Sequence, residues 1–216
     1  MNRIDRSRRR LAIAAAGLAG FVDAAGYLSA NSYFVSFMSG NTTRLGVDIA
    51  QRPAHAWVPA ALIAGFVLGV TGGAVLAAKA GMRRKQAVFS LVAGLLALAS
   101  LAHQAGSEAA MLGALVLAMG AINNTFQRNG EVSVGLTYMT GALVRMGQGL
   151  AAKLMGTGGE AWAGWLLLWL GLSAGAVTGA LGWTHVPWLA LWLASGWAVM
   201  LAFWATRLPP SEERRS

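Results

Sequence analysis

Eight apolar stretches alternate with short polar breaks, and they fall into three kinds. Four are unbroken apolar runs, at 57–78, 86–103, 161–183 and 187–206, close to the length of about 20 residues that a bilayer crossing requires. Two more, 11–29 and 109–127, are similarly apolar but are interrupted by Asp23 in one and by Asn123 and Asn124 in the other. The last two, 33–51 and 133–152, have helical spacing yet make poor spans, because one contains Arg44 and Asp48 and the other Arg145 and Gln148. This pattern predicts an all-α polytopic membrane protein with about six full transmembrane helices and two broken or re-entrant arginine-bearing helices.

The two poor spans are related. At an offset of 101, Met38 falls on Met139, Gly40 on Gly141, Arg44 on Arg145 and Gly46 on Gly147, with Ser39 on Thr140 and Asp23 on Asn124 as near matches. Further along the offset becomes 106, and Gly65, Gly69 and Gly73 meet Gly171, Gly175 and Gly179. The chain therefore reads as two copies of a four-segment unit. A basic tail (1–10) precedes a first membrane repeat (11–103) and a second (104–207), and a polar tail (208–216) follows. Internal repeats are a frequent mark of transporters.

Charge position orients the units. Arginines crowd the first ten residues, further cations cluster at Lys79, Arg83, Arg84 and Lys85, and Arg207, Arg214 and Arg215 lie at the end. If all eight segments cross, the Lys79–Lys85 cluster falls outside. If the arginine-bearing pair does not cross, every strongly basic segment falls inside. Each unit then has three crossings and the second copy is inverted. The expected location is a bacterial inner (cytoplasmic) membrane, with both termini cytoplasmic.

Composition agrees. Of 216 residues, 56% are hydrophobic and 12% charged, with a mean hydropathy of +0.54; soluble domains carry about 25% charged residues. The net charge of +9 sits at segment ends, as anchoring charges do, and does not point to nucleic acid. Absence of cysteine excludes disulfides and thiol chemistry. The basic start is not read as a signal peptide, since Asp23 interrupts the following run and more full-length runs follow.

Two passages, "GFVDAAGYLSANSYFVSFMSGNTTRLG" and "GAINNTFQRNGEVSVGLTYMTGALVRMGQGL", resemble the motif regions of the YoaK-like bacterial integral membrane protein family, a domain-of-unknown-function family. The similarity rests on Gly20–Ala24, Met38–Asn41, Asn124 and Met139–Gly141, with Ser39 where threonine is usual. It implies a small bacterial membrane protein and supplies no substrate.

A charged side chain at bilayer centre costs about 2.5–3.5 kcal/mol on insertion scales, so these groups require partners, water or a ligand. Asn41, Arg44 and Asp48 share a helix face, and Arg44 is expected to pair with Asp48. Arg145 has no such neighbour. Asp23, Asn41, Arg44, Asn124 and Arg145 are therefore expected to line a polar cavity and bind substrate. The arginines would orient an anionic group, and Asp23 would either pair with an arginine or carry a coupling proton. Ser39-Gly40 and Thr140-Gly141 are expected to let the helices break or approach closely. The three histidines lie far apart at segment ends, so neither a metal nor another cofactor is expected. Trp165 and Trp169 read as lipid-facing or packing residues. The glycine ridges read as packing surfaces and offer a homo-oligomer contact.

The function expected is a small-solute membrane transporter (permease or exporter), for an anionic or carboxylate-bearing solute, and not an enzyme. The rivals are a non-transporting scaffold or sensor subunit, which would have no cavity, and an intramembrane enzyme, which the edge position of the histidines disfavours.

Overall fold

The computed structural model describes residues 6–30, 32–128, 131–132, 135–158 and 162–208. Residues 1–5 of the basic tail, 209–216 of the C-terminal tail and Glu160 lie outside the described residues. Among the described residues the chain forms eight α-helices: α1 (Arg6–Ser29), α2 (Met38–Gln51), α3 (Trp57–Ala80), α4 (Arg84–Gln104), α5 (Glu108–Ile122), α6 (Met139–Leu154), α7 (Trp162–His185) and α8 (Pro187–Thr206). A two-residue antiparallel pairing of Gln127–Arg128 with Glu131–Val132 follows α5. Four stretches are long and apolar enough to cross a membrane: Arg6–Ser29, Pro53–Gln104, Trp162–His185 and Pro187–Thr206. The second contains both α3 and α4. Three helices are shorter than the roughly 30 Å hydrocarbon core: α2, α5 and α6, with 14, 15 and 16 residues, extend only about 21, 22 and 24 Å at 1.5 Å per residue. The expected span at 109–127 is thus cut short as a helix, and the chain continues from α5 through a single turn at Asn123–Thr125.

Local chemistry sets the breaks. Gly81 (φ +52°) separates α3 from α4, and Gly106 (φ +73°) separates α4 from α5. At the latter the Ser107 amide donates to the Ala102 carbonyl (2.9 Å) and Gly106 to His103 (3.0 Å), so a left-handed glycine closes the helix and satisfies its last carbonyls. Gly156 (φ +70°) ends α6 in the same way, with Thr157 donating to Ala152 (3.0 Å). Pro187 opens α8, where its missing N–H costs nothing.

α1 and α5 form the interior. Leu11, Leu18 and Val22 of α1 and Leu115, Met119 and Ile122 of α5 are fully inaccessible. Each packs on a glycine-ridged partner. Gly175 and Gly179 of α7 lie directly on the backbone of Gly17 and Phe21, and Gly20 backs onto Leu172 and Ala176. Gly69 and Gly73 of α3 lie on Leu117 and Ala121 in the same manner, and Gly120 backs onto Phe66 and Val70. An offset of 100 between α1 and α5, and of 106 between α3 and α7, converts each contact of one pair into a contact of the other. The ridges are thus buried within the chain, and each joins helices from opposite halves of the sequence.

These contacts also fix direction. Residue numbers rise together along α1 and α7, and along α3 and α5, so each pair is parallel. The His103 ring at the end of α4 lies 4.8 Å from that of Trp183 at the end of α7, where α8 begins, so α4 and α8 are antiparallel. The Ser195 hydroxyl joins this last pair by donating to the Ala93 carbonyl at 2.9 Å.

Candidate functional site

Among the described residues, non-helical segments lead into α2 and into α6. A non-helical backbone in an apolar setting exposes N–H and C=O groups that need partners. The first segment finds them in two side chains. Asn41 accepts from the Phe34 amide (2.9 Å) and donates Nδ2 to the Phe34 carbonyl (2.6 Å). Asp23 Oδ1 accepts from the next two amides, Val35 (3.0 Å) and Ser36 (2.7 Å). In the second segment Asn123 meets the Thr137 amide (3.4 Å) and hydroxyl (3.1 Å). Asn123, not Asn124, therefore does for Thr137 what Asp23 does for Ser36. Asn124 points elsewhere, donating to the Val70 carbonyl of α3 (2.9 Å).

Both segments deliver an aromatic residue to the start of a short helix. Phe37 (φ −92°, ψ 78°) precedes α2 and Tyr138 (φ −95°, ψ 73°) precedes α6, and neither helix start has a side-chain cap. The Phe37 ring folds over Gly40 and the Tyr138 ring over Gly141, where a side chain would collide with the ring. This accounts for glycine in Met-Ser-Gly and Met-Thr-Gly: each is a shelf for the preceding ring.

The two uncapped starts open on one cavity of about 530 Å³. Ser36 to Ser39 line it from the first half, and Thr137 to Ala142 with Arg145 from the second. Phe66 and Val70 from the middle of α3, Asn123, and Trp165 of α7 complete it. Arg145 is the charged side chain in this lining among the described residues. Its guanidinium carbon sits 4.7 Å from the centre of the Trp165 ring, an attraction that leaves its N–H donors available. Uncapped helix N-termini carry a partial positive charge and unsatisfied amides, so the two helix starts and Arg145 favour an anion, against the Asp23 carboxylate that lies behind Ser36.

Of the predicted residues, Ser39, Thr140, Gly141 and Arg145 line the cavity. Asp23 and Asn41 hold its wall from behind, through the Ser36 and Phe34 backbone. Asn124 anchors α5 to α3. Arg44 lies apart, 5.7 Å from the Tyr33 ring centre, and Gly40 supports Phe37. The expected Arg44–Asp48 pair does not form: Asp48 is bound by Arg52 (2.6 Å) and by the Tyr33 hydroxyl (2.5 Å). Both arginines are one turn from Asp48, and an acid placed N-terminal to its basic partner is the better helical order. Sequence reasoning missed Asn123, Phe66, Tyr138 and Trp165 as cavity residues. The aromatic residue ahead of each Met-[Ser/Thr]-Gly was the legible signal for Tyr138, whereas nothing in the spacing linked Trp165 to Arg145.

Comparison with known proteins places the chain. The family described as "Protein of unknown function (DUF1275)" matches over residues 11–204. A UPF0700 transmembrane protein of Rhizobium meliloti (strain 1021) is 41% identical over 207 residues, covering 94% of this chain and 89% of that protein. No solved structure matches. With its long apolar helices, its two motif regions and these matches, the chain is a transmembrane protein and belongs to the DUF1275 family, the YoaK-like group its motifs resemble.

Proposed function

We propose that this protein is a small-solute permease of the bacterial inner membrane that binds an anionic or carboxylate-bearing solute between the starts of α2 and α6. One observation carries the reading: two uncapped helix starts, from opposite halves of the chain, face the same cavity beside Arg145. Half-helices whose N-termini point at an anionic group are a recurring device in transporters built from inverted repeats. The described lining of the cavity contains no histidine or carboxylate to serve as a general base, so no catalytic role is proposed.

The matched contacts of α1 with α7 and α5 with α3 support two inverted repeats that exchange their first helices. Antiparallel α4 and α8 support six crossings, the short α5 with the turn that follows it counted among them, and α2 and α6 entering from opposite faces and returning. In that arrangement the Lys79–Lys85 cluster, Lys153 and Arg207 share the cytoplasmic face with both termini, as the distribution of positive charge requires. Since the ridges are buried inside the chain, self-association would use another face.

The test is an uptake screen. Proteoliposomes containing the protein are offered labelled inorganic anions, short carboxylates and amino acids, alongside empty vesicles and the Arg145→Gln variant. At least one carboxylate-bearing solute is expected to enter, with uptake reduced about tenfold or more in Arg145→Gln, the scale of losing one charge-assisted contact. Uptake that is unchanged in Arg145→Gln, or lost only because the variant unfolds, would leave the cavity without this role.

A further inference from the structure

Asp23 and Asn123 hold equivalent pieces of the cavity wall with different chemistry. Asp23 receives the Val35 and Ser36 amides, with the Ser36 hydroxyl and Phe37 amide also directed at it. Ser36 and Phe37 both line the cavity, so this carboxylate sits directly behind the cavity lining. Asn123 holds Thr137 on the other side through an amide that cannot titrate at ordinary pH.

No cation neutralises Asp23 among the described residues. Of the elements packed on α1, α7 has His185 alone, an exposed residue at its C-terminal end about one turn beyond the level of Asp23, α8 has no charged residue, and α5 has Glu108 alone, at its start. On α1 the arginines lie in the first turns and Tyr27 follows one turn on. In the adjoining loop the Tyr33 hydroxyl is bound to Asp48, and in α2 Asp48 is held by Arg52 while Arg44 lies over Tyr33. Backbone amides are thus the principal compensation for a charge at Asp23. They bind the ionised form best, since hydrogen bonds to a charged acceptor are roughly twice as strong as neutral ones.

We infer that Asp23 is the proton-binding latch of this permease. Ionised, it fixes Val35 and Ser36 and closes the α2 side of the cavity. Taking up one proton at the carboxylate, it becomes a neutral acid, weakens its grip and lets that wall move, while the Asn123 side stays fixed. The coupling of this proton to solute movement rests on the permease reading above; the latch itself does not.

Hydrogen exchange in the full-length protein tests it. After correction for intrinsic exchange, amides in 33–37 are expected to exchange about tenfold faster at acid than at neutral pH, the loss of a charged hydrogen bond, while those in 135–138 stay constant. Asp23→Asn is expected to abolish the pH dependence, and Asn123→Asp to install it in 135–138. The inference is overturned if both wild-type segments respond alike, or if Asp23→Asn keeps the response. Should Asp23→Asn fail to fold, Asn123→Asp decides, since a flat profile there also overturns it. In proteoliposomes, a pH gradient is expected to drive uptake by wild type, with Asp23→Asn retaining only downhill movement. A panel in which no solute enters at any pH removes the permease reading and the coupling with it, and leaves the exchange result to judge the latch.

Discussion

Asn41 shows what a single side chain must do where the backbone departs from a helix in an apolar setting. Its amide matches the Phe34 peptide donor for acceptor, a fit that an ionised aspartate, which only accepts, cannot supply. Asn41 is fully buried, so Asn41→Ala would strand both Phe34 groups. The expected loss is about 1–3 kcal/mol, read as a lower midpoint of thermal unfolding in detergent, whereas Thr42→Ala on the exposed face stays within about 0.5 kcal/mol. Equal effects would contradict the assignment. At this scale the sequence was partly legible. Arg145 and the small polar residues at the two motif helices stood out because such groups are expensive in lipid. The choice of Arg52 over Arg44 at Asp48 was legible in the order of acid and base along the helix, whereas that of Asn123 over Asn124 as the counterpart of Asp23 was not, because the two are adjacent and only three-dimensional packing selects one.

Helices assort by the residues that allow close approach. Ridges of small residues let membrane helices meet backbone to backbone, where dispersion and packing replace the absent hydrophobic drive. α7 uses its ridge on α1, and α3 uses its own on α5. Gly175→Val would force a side chain into the Gly17 carbonyl, and a destabilisation of about 1–3 kcal/mol is expected. Gly196→Ala, which meets open space, should be neutral or gain up to about 1 kcal/mol from reduced chain entropy. Thermal unfolding of the two variants checks the contrast, and a harmless Gly175→Val would refute the contact. The eight helices were legible as elements because six are apolar runs bounded by polar breaks and the two arginine-bearing stretches have helical spacing. Their partners were not, since a ridge on one helix does not specify which neighbour will cover it. The non-helical segments before α2 and α6 were only partly legible: 33–37 and 135–138 were read into the two helical stretches, whereas the polar 128–132 fell between runs.

On the scale of the whole molecule, two short helices begin at one cavity because two chain reversals, from opposite halves, are each held in place by a side chain on an interior helix. The fold class was legible in the sequence from run length and charge position, and the motif match pointed to the segments that form the cavity. Its walls were not legible, because Phe66 and Trp165 come from glycine-ridge helices that read as packing surfaces without chemistry of their own.

The central claim, a solvent-reachable and electropositive cavity between those two starts, can be measured without knowing the solute. The chain contains no cysteine, so Thr140→Cys supplies a single thiol in the lining. Membrane-impermeant methanethiosulfonates of similar size and opposite charge are applied to the protein in sealed vesicles of both orientations, with and without Arg145→Gln. The account predicts that the anionic reagent reacts about tenfold faster than the cationic one, and that Arg145→Gln largely removes the difference. A thiol that neither reagent reaches, or one that the cation reaches faster, would contradict it.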